Sequence, residues 1–220
     1  MLRTLILCGD FWHAPAPFVP NLKRALGEHT EGLTAHLFPS AFDTAELEHT
    51  DLLVLCKESI VPGTHKTDRE ANWISLEQER TILDWVAQGG TLLAWHSGAA
   101  GYSPEGLQQV FGGQFRGHPP IHSFAVKVTK PGHPLATGVT DFSVIDELYH
   151  FSVKDSDEFE VFIEGVSEEH GITEPIAWTH SHGKGDVIVY LLGHLPPTLG
   201  QPASQALMKN IVARAVSHQR

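Results

Sequence analysis

The chain has 220 residues, 41% of them hydrophobic and 19% charged, which suits a single α/β domain spanning residues 1–220. Its formal net charge is −11 without a Lys/Arg cluster, so neither a nucleic-acid backbone nor an anionic membrane surface finds much to hold. There is no apolar run long enough to span a bilayer and no cleavable leader before the first strand pattern, so a cytoplasmic protein is expected.

Leu2 to Cys8 is a nearly continuous apolar run, and "DLLVLC" (Asp51 to Cys56) and "GTLLAW" (Gly90 to Trp95) repeat it. Such runs fit parallel strands covered on both faces. Cys8 and Cys56 close two of them, where a thiol behaves as a small buried hydrophobe rather than a disulfide partner. Between the strands, "PNLKRALGEH" puts Leu22, Ala25 and Leu26 on one helical face. "SLEQERTILDWVAQGG" opens on a capping-box pattern at Ser75 and Gln78 and stops at Gly89-Gly90. "SPEGLQQVFGG" predicts a short helix with Ser103 as cap, Pro104 at the first position and Gly112-Gly113 as terminator. After Gly113 the pattern alternates: "HSFAVKVT" (His122 to Thr129), "FSVIDELYHFSV" (Phe142 to Val153) and "FEVFIEG" (Phe159 to Gly165) predict half-exposed, largely antiparallel strands. "PIAWTHSHGKGDVIVYLLGH" predicts a hairpin turning at "SHGKG", its second strand rejoining the core sheet before His194. "SQALMKNIVARAVSHQ" closes the chain as an amphipathic helix. Strand-helix alternation followed by hairpins predicts a doubly wound, mostly parallel α/β sheet with antiparallel additions in the C-terminal half.

Ligands of such sheets bind beyond the carboxyl ends of the strands. Asp10 and His13 follow the first apolar strand, Lys57-Glu58 the second, His96-Ser97 the third and His194 the last, so three of four strands deliver a histidine to one edge. "IDELYHF" adds Asp146 and Glu147. In a regular strand Asp146 faces away from Glu147 and Tyr149, so only one set can face a pocket. Three imidazoles (His13, His96, His194) with Glu147 suit Zn²⁺ or another divalent transition metal, leaving room for a water or a sugar hydroxyl. Without metal, His96 and His194 would be an acid/base pair. Ser97 sits just past the corner of an elbow-like strand-turn-helix, either as a nucleophile with His194 as its base or as a cap of the turn, and the cap is expected.

"LLAWHSG", "FGGQFRGHPP", "GHPLATGV", "DELYHF" and "AWTHSHGKGDVIVYLLGH", in this order, resemble the ThuA-like (trehalose-utilisation) family from the first strand to about Pro197. The resemblance implies a flavodoxin-like, class I glutamine-amidotransferase-like fold. There the elbow carries a catalytic Cys and its partner His follows the last core strand. Here the elbow position is His96 and the partner position His194, and no Cys follows Cys56, so a cysteine-dependent glutaminase is excluded. Many members carry Arg after the "GKG" turn, where this chain has Asp186. The family name implies a carbohydrate derivative as substrate. The expected catalytic residues are then His96, His194 and Glu147, with Tyr149, His118, Ser97 and Lys184 binding substrate. Trp12, Trp95, Tyr102, Tyr149 and Trp178 suit sugar stacking, although Trp95 and Trp178 are expected in the core. The leading expectation is an enzyme acting on a sugar or keto-sugar as a metal-assisted isomerase, hydratase, lyase or hydrolase. The alternative is a non-catalytic carbohydrate-binding or interaction domain that has lost its nucleophile. A homo-oligomer is compatible with either.

Overall fold

The computed structural model describes residues 1–59, 73–154 and 158–218. Its strands are β1 (Thr4–Cys8), β2 (Leu33–Leu37), β3 (Leu52–Cys56), β4 (Thr91–Trp95), β5 (Gly113–Phe115), β6 (His122–Val128), β7 (Phe142–Asp146), β8 (Phe151–Val153), β9 (Glu160–Ser167), β10 (Ile172–His182) and β11 (Gly185–Tyr190). The helices are α1 (Phe18–Leu26), α2 (Leu76–Ala87), α3 (Gln108–Phe111), α4 (Pro196–Gly200) and α5 (Pro202–Ser217). No described helix is long and apolar enough to cross a membrane.

Nine strands form one sheet in the order β2-β1-β3-β4-β11-β10-β9-β6-β7. The half from β2 to β11 is parallel, and the pairs from β11 to β7 are antiparallel. The apolar runs are continuous because both faces are covered. Ile6, Val54 and Leu93 pack under α1 and α5 on one side, while Leu7, Leu53 and Leu92 pack under α2 and α3 on the other. Each such fully buried aliphatic side chain contributes about 1.5–3 kcal/mol of transfer free energy. The capping box at Ser75 and Gln78 forms as the sequence predicts.

Several elements depart from the sequence reading, the short β5 and α4 among them. The run from Phe142 to Val153 is not one strand. It breaks after Asp146, whose buried carboxylate accepts from the Glu147 and His194 backbone N–H groups, and β8 pairs instead with β5 in a separate two-stranded sheet. The helix expected from Ser103 is reduced to α3, because the buried Glu79 carboxylate of α2 takes the Ser103 and Leu107 N–H groups and holds the intervening residues in turns. Edge strand β2 is absent from the sequence reading. Its residues are half-buried or exposed, so it carries no apolar run to betray it.

Candidate functional site

The parallel strands β1, β4 and β11 end at the same edge, and the chain leaving each one turns a histidine toward a common point. At the end of β4 the turn is strained. His96 has φ of +52°, in the left-handed region that costs a side-chain-bearing residue roughly 1–3 kcal/mol. Two glycines make room for it and one hydrogen bond holds it there. A Cβ on Gly98 would stand 1.8 Å from the Leu55 carbonyl oxygen of β3, so only glycine lets the turn sit on the neighbouring strand. A Cβ on Gly193 would press on His96 Cβ at 3.1 Å. His96 Nδ1 lies 2.7 Å from the Leu191 carbonyl oxygen. Because a carbonyl only accepts, Nδ1 carries a proton, and in the neutral ring the Nε2 lone pair faces the site.

His13 is oriented in the same way by a stronger partner. Its Nδ1 lies 2.7 Å from Asp10 Oδ1, which also accepts from the Trp12 and His13 N–H groups, while Oδ2 accepts from Glu58 N–H. Burial pushes the Asp10 carboxyl up, but the His13 ring, the Glu58 N–H and the nearby Ser97 hydroxyl outweigh it and bring the pKa down to about 2. His13 Nε2 is left buried with no hydrogen-bond partner.

Glu147 stands just past the break in the Phe142–Val153 run. Its Oε1 lies 3.2 Å from His194 Nδ1 and 3.3 Å from His118 Nε2, and its Oε2 lies 3.5 Å from His96 Nε2. Burial raises the Glu147 carboxyl, yet the His194 and His96 side chains more than compensate and hold it well below the usual carboxylate range. The same contact raises His194 against its own burial. Strand alternation would have allowed only one of Asp146 and Glu147 to serve the site. With the strand broken between them both do, Glu147 at its centre and Asp146 holding the His194 backbone.

One ligand atom from each of His13, His96, Glu147 and His194 lies within 4.8 Å of the other three. An isolated histidine contact would be unremarkable in a core. Here the buried, unpartnered His13 Nε2, a His194 Nδ1 without a well-aligned hydrogen bond, and Nδ1–H groups locked onto Asp10 and Leu191 are compatible with the ligand and support pattern that a metal needs. The surrounding charge agrees. Asp10, Glu58, Asp146 and Glu147 are buried carboxyl groups, and among the described residues Lys57 is the fully buried lysine beside them. Its ammonium donates to the Gly9 carbonyl, and burial lowers its pKa, partly offset by Asp10 and Glu58.

These groups open into a cavity of about 350 Å³ lined by Trp12, His13, Glu58, Ser97, Ala100, Phe115, His118, Glu147, Tyr149 and His194, within the range of small-ligand sites. Tyr149 stacks on His96 with ring centroids 4.7 Å apart, its hydroxyl 3.2 Å from His96 Nε2. Ser97 lines the cavity but does not cap its turn: the turn has no side-chain cap, and the hydroxyl hydrogen-bonds neither the backbone nor His194. Trp12 is exposed at the rim, while Trp95, Trp178 and Tyr102 are buried.

Lys184 is not at this site. It occupies the β10–β11 turn, with its N–H on the Ala87 carbonyl at the end of α2, so the six residues of β11, about 20 Å, separate it from the histidines. Asp186 lies at that far end too, paired with Arg214. Asp10, Glu58 and Phe115 were not assigned a role from sequence. The first two directly follow apolar strands, the signal that located the histidines, whereas Phe115 lies in a strand of three residues with no periodicity to read.

Among curated proteins none matches this chain. A ThuA-like protein of Bacteroides uniformis is 18% identical with a TM-score of 0.75, over 100% of this chain and 93% of that one. A ThuA-like protein of Parabacteroides merdae is 16% identical with a TM-score of 0.73, over 98% and 90%. A protein of Thermoplasma acidophilum described as part of a GMP synthase is 12% identical with a TM-score of 0.63, over 99% and 96%. At these identities the likeness shows the fold, that of the class I glutamine amidotransferases. The family model described as trehalose utilisation, ThuA, matches residues 3–213, and the chain therefore belongs to the ThuA family.

Proposed function

We propose that this protein is an enzyme of carbohydrate breakdown that takes a sugar or keto-sugar derivative into the cavity at the carboxyl edge of its sheet, beside a divalent transition metal held by His13, His96, His194 and Glu147. The convergence of those four ligand atoms within 4.8 Å, from four separate stretches of chain, carries this reading. The family's description as trehalose utilisation supports the substrate class. A bound divalent ion would polarise a sugar carbonyl or hydroxyl.

The protein's own groups do the rest. Glu147, kept ionised with His194 as its first partner, serves as ligand or as the base that takes a proton from the substrate. Exposed Trp12 and the Phe115 ring at the wall offer apolar faces for a sugar ring, and Ser97 and His118 offer polar contacts to its hydroxyls. Lys57, fully buried on the Gly9 carbonyl, offsets part of the acidic charge without reaching the substrate.

Two measurements test the proposal together: the metal content of freshly purified protein, and turnover of a panel of disaccharides and their 3-keto derivatives with added divalent metals, comparing wild type with His96→Ala. We expect near-stoichiometric metal and turnover that His96→Ala abolishes. Metal-free protein whose stability is unchanged by a chelator, or equal turnover by the variant, would refute it.

A further inference from the structure

Within the proposed metal centre the histidine lone pairs are not equivalent. His13 Nε2 is buried without a partner, whereas His96 Nε2 is already taken. Its Nδ1 is committed as a donor to the Leu191 carbonyl, so in the neutral ring Nε2 can only accept, and the hydroxyl 3.2 Å away on Tyr149 donates to it. A cation binding His96 needs that same lone pair.

The Tyr149 ring cannot swing out of the way. It lies between His96, at 4.7 Å and 30°, and His118, at 5.7 Å and 22°, with Phe115 against it at 4.4 Å. Only the hydroxyl hydrogen is free to turn about its C–O bond. We propose that Tyr149 is a built-in competitor for the cation: its hydroxyl caps His96 Nε2 while the centre is empty and is released, still beside the cluster, as a hydrogen-bond donor facing the cavity when a cation takes the lone pair. The donor is thus presented to the cavity only when the metal is in place. This inference rests on the reading of the four residues as a cation site.

Zinc titration of metal-free wild type and Tyr149→Phe against a chromophoric chelator tests it. The substitution keeps the ring and its stacking and removes only the competing hydroxyl. Affinity for Zn²⁺ should therefore rise about fivefold, the worth of one neutral hydrogen bond, where loss of a merely structural contact would leave it unchanged or lower it. In wild type, zinc should also produce a near-ultraviolet tyrosine difference spectrum that Tyr149→Phe lacks, a measurement that does not depend on the variant's folding as wild type does. If wild type binds zinc but the variant binds no more tightly, or the difference spectrum is absent, the competition is wrong and the cation site stands. If neither protein takes up zinc, the cation site fails and this inference fails with it.

Discussion

Asp10→Asn tests the claim that Asp10 exists to aim His13. The carboxylate accepts four hydrogen bonds, from Trp12 N, His13 N and His13 Nδ1 on Oδ1 and from Glu58 N on Oδ2. An amide has one oxygen. Placed where Oδ1 lies, it keeps three of the four donors and turns its NH₂ against the Glu58 N–H, donor to donor. Leaving a buried donor unsatisfied costs about 1–3 kcal/mol. Exchanging charge-assisted bonds for neutral ones costs roughly a further 1 kcal/mol. Near the middle of that range the loss is about 3 kcal/mol, which for a chain of this size lowers Tm by roughly 6–12 °C. The neutral partner also holds the imidazole less firmly, and loss of such a support group typically weakens metal binding about 10–100-fold. Differential scanning calorimetry reads the first effect and chelator-competition titration of Zn²⁺ at a temperature where the variant is folded reads the second. Zinc affinity within about threefold of wild type, in a variant showing the predicted Tm loss, would mean that Asp10 supports the loop and not the ligand.

Other consequences can be checked independently. Gly98→Ala forces a methyl to within 1.8 Å of a strand carbonyl that cannot swing aside, so urea denaturation should show a loss of about 3 kcal/mol, near the top of the overpacking range; a loss below about 1 kcal/mol would mean the elbow does not rest on β3 as described. Lys184→Ala should leave zinc affinity and turnover unchanged, because its turn is at the opposite end of β11; any clear effect on either would contradict that placement. His133 stacks on Phe162 at 4.1 Å, and burial lowers its pKa from 6.5 with only partial relief from Glu160. The unfolded chain then binds a proton that the native state refuses, so this group's contribution is complete above pH 6.5 and is lost as pH falls below it, at no more than about 1.4 kcal/mol per pH unit. His133→Gln should flatten the acid limb of a stability-against-pH curve, and an unchanged limb would refute the assignment.

The legible part of the fold was the part in which local pattern and tertiary burial say the same thing. The strands β1, β3 and β4 are apolar, but for the threonines that open β1 and β4, because helices cover both their faces, and α2 carries its own cap and stop. The edge strand β2 buries too little to leave a mark, and α3 lost its first turn to a single distant acid, Glu79, which no local signal reveals. The site divided along the same line. His13, His96 and His194 were found because each follows a parallel strand, and a parallel sheet gathers those ends together. Glu147 could be named a candidate, but its orientation could not be derived, since regular alternation would have set it against Asp146, and the break between them depends on the His194 backbone, 48 residues away. Lys184 lies away from the site for a related reason: the "GKG" motif stands close to His194 in sequence, and β11 carries the two to opposite edges.

The imidazole at the elbow and the charge around it belong together. In the amidotransferase-like fold this strained turn presents a thiol, and a thiol becomes a nucleophile by losing a proton, which needs a neighbourhood that stabilises an anion. Here the turn keeps its strain, with His96 at φ +52°, and its glycine seat on β3. The surroundings have the opposite sign, with Asp10, Glu58, Asp146 and Glu147 buried and, among the described residues, Lys57 as the fully buried lysine beside them. A thiolate placed among those carboxyl groups would be suppressed by like charge. An imidazole is neutral, offers a lone pair where the thiol offered its sulfur, and gains from acidic neighbours once a cation shares the site. On the proposed reading the elbow delivers an electron pair to the edge of the sheet, and the acidic surroundings suit that pair to a cation.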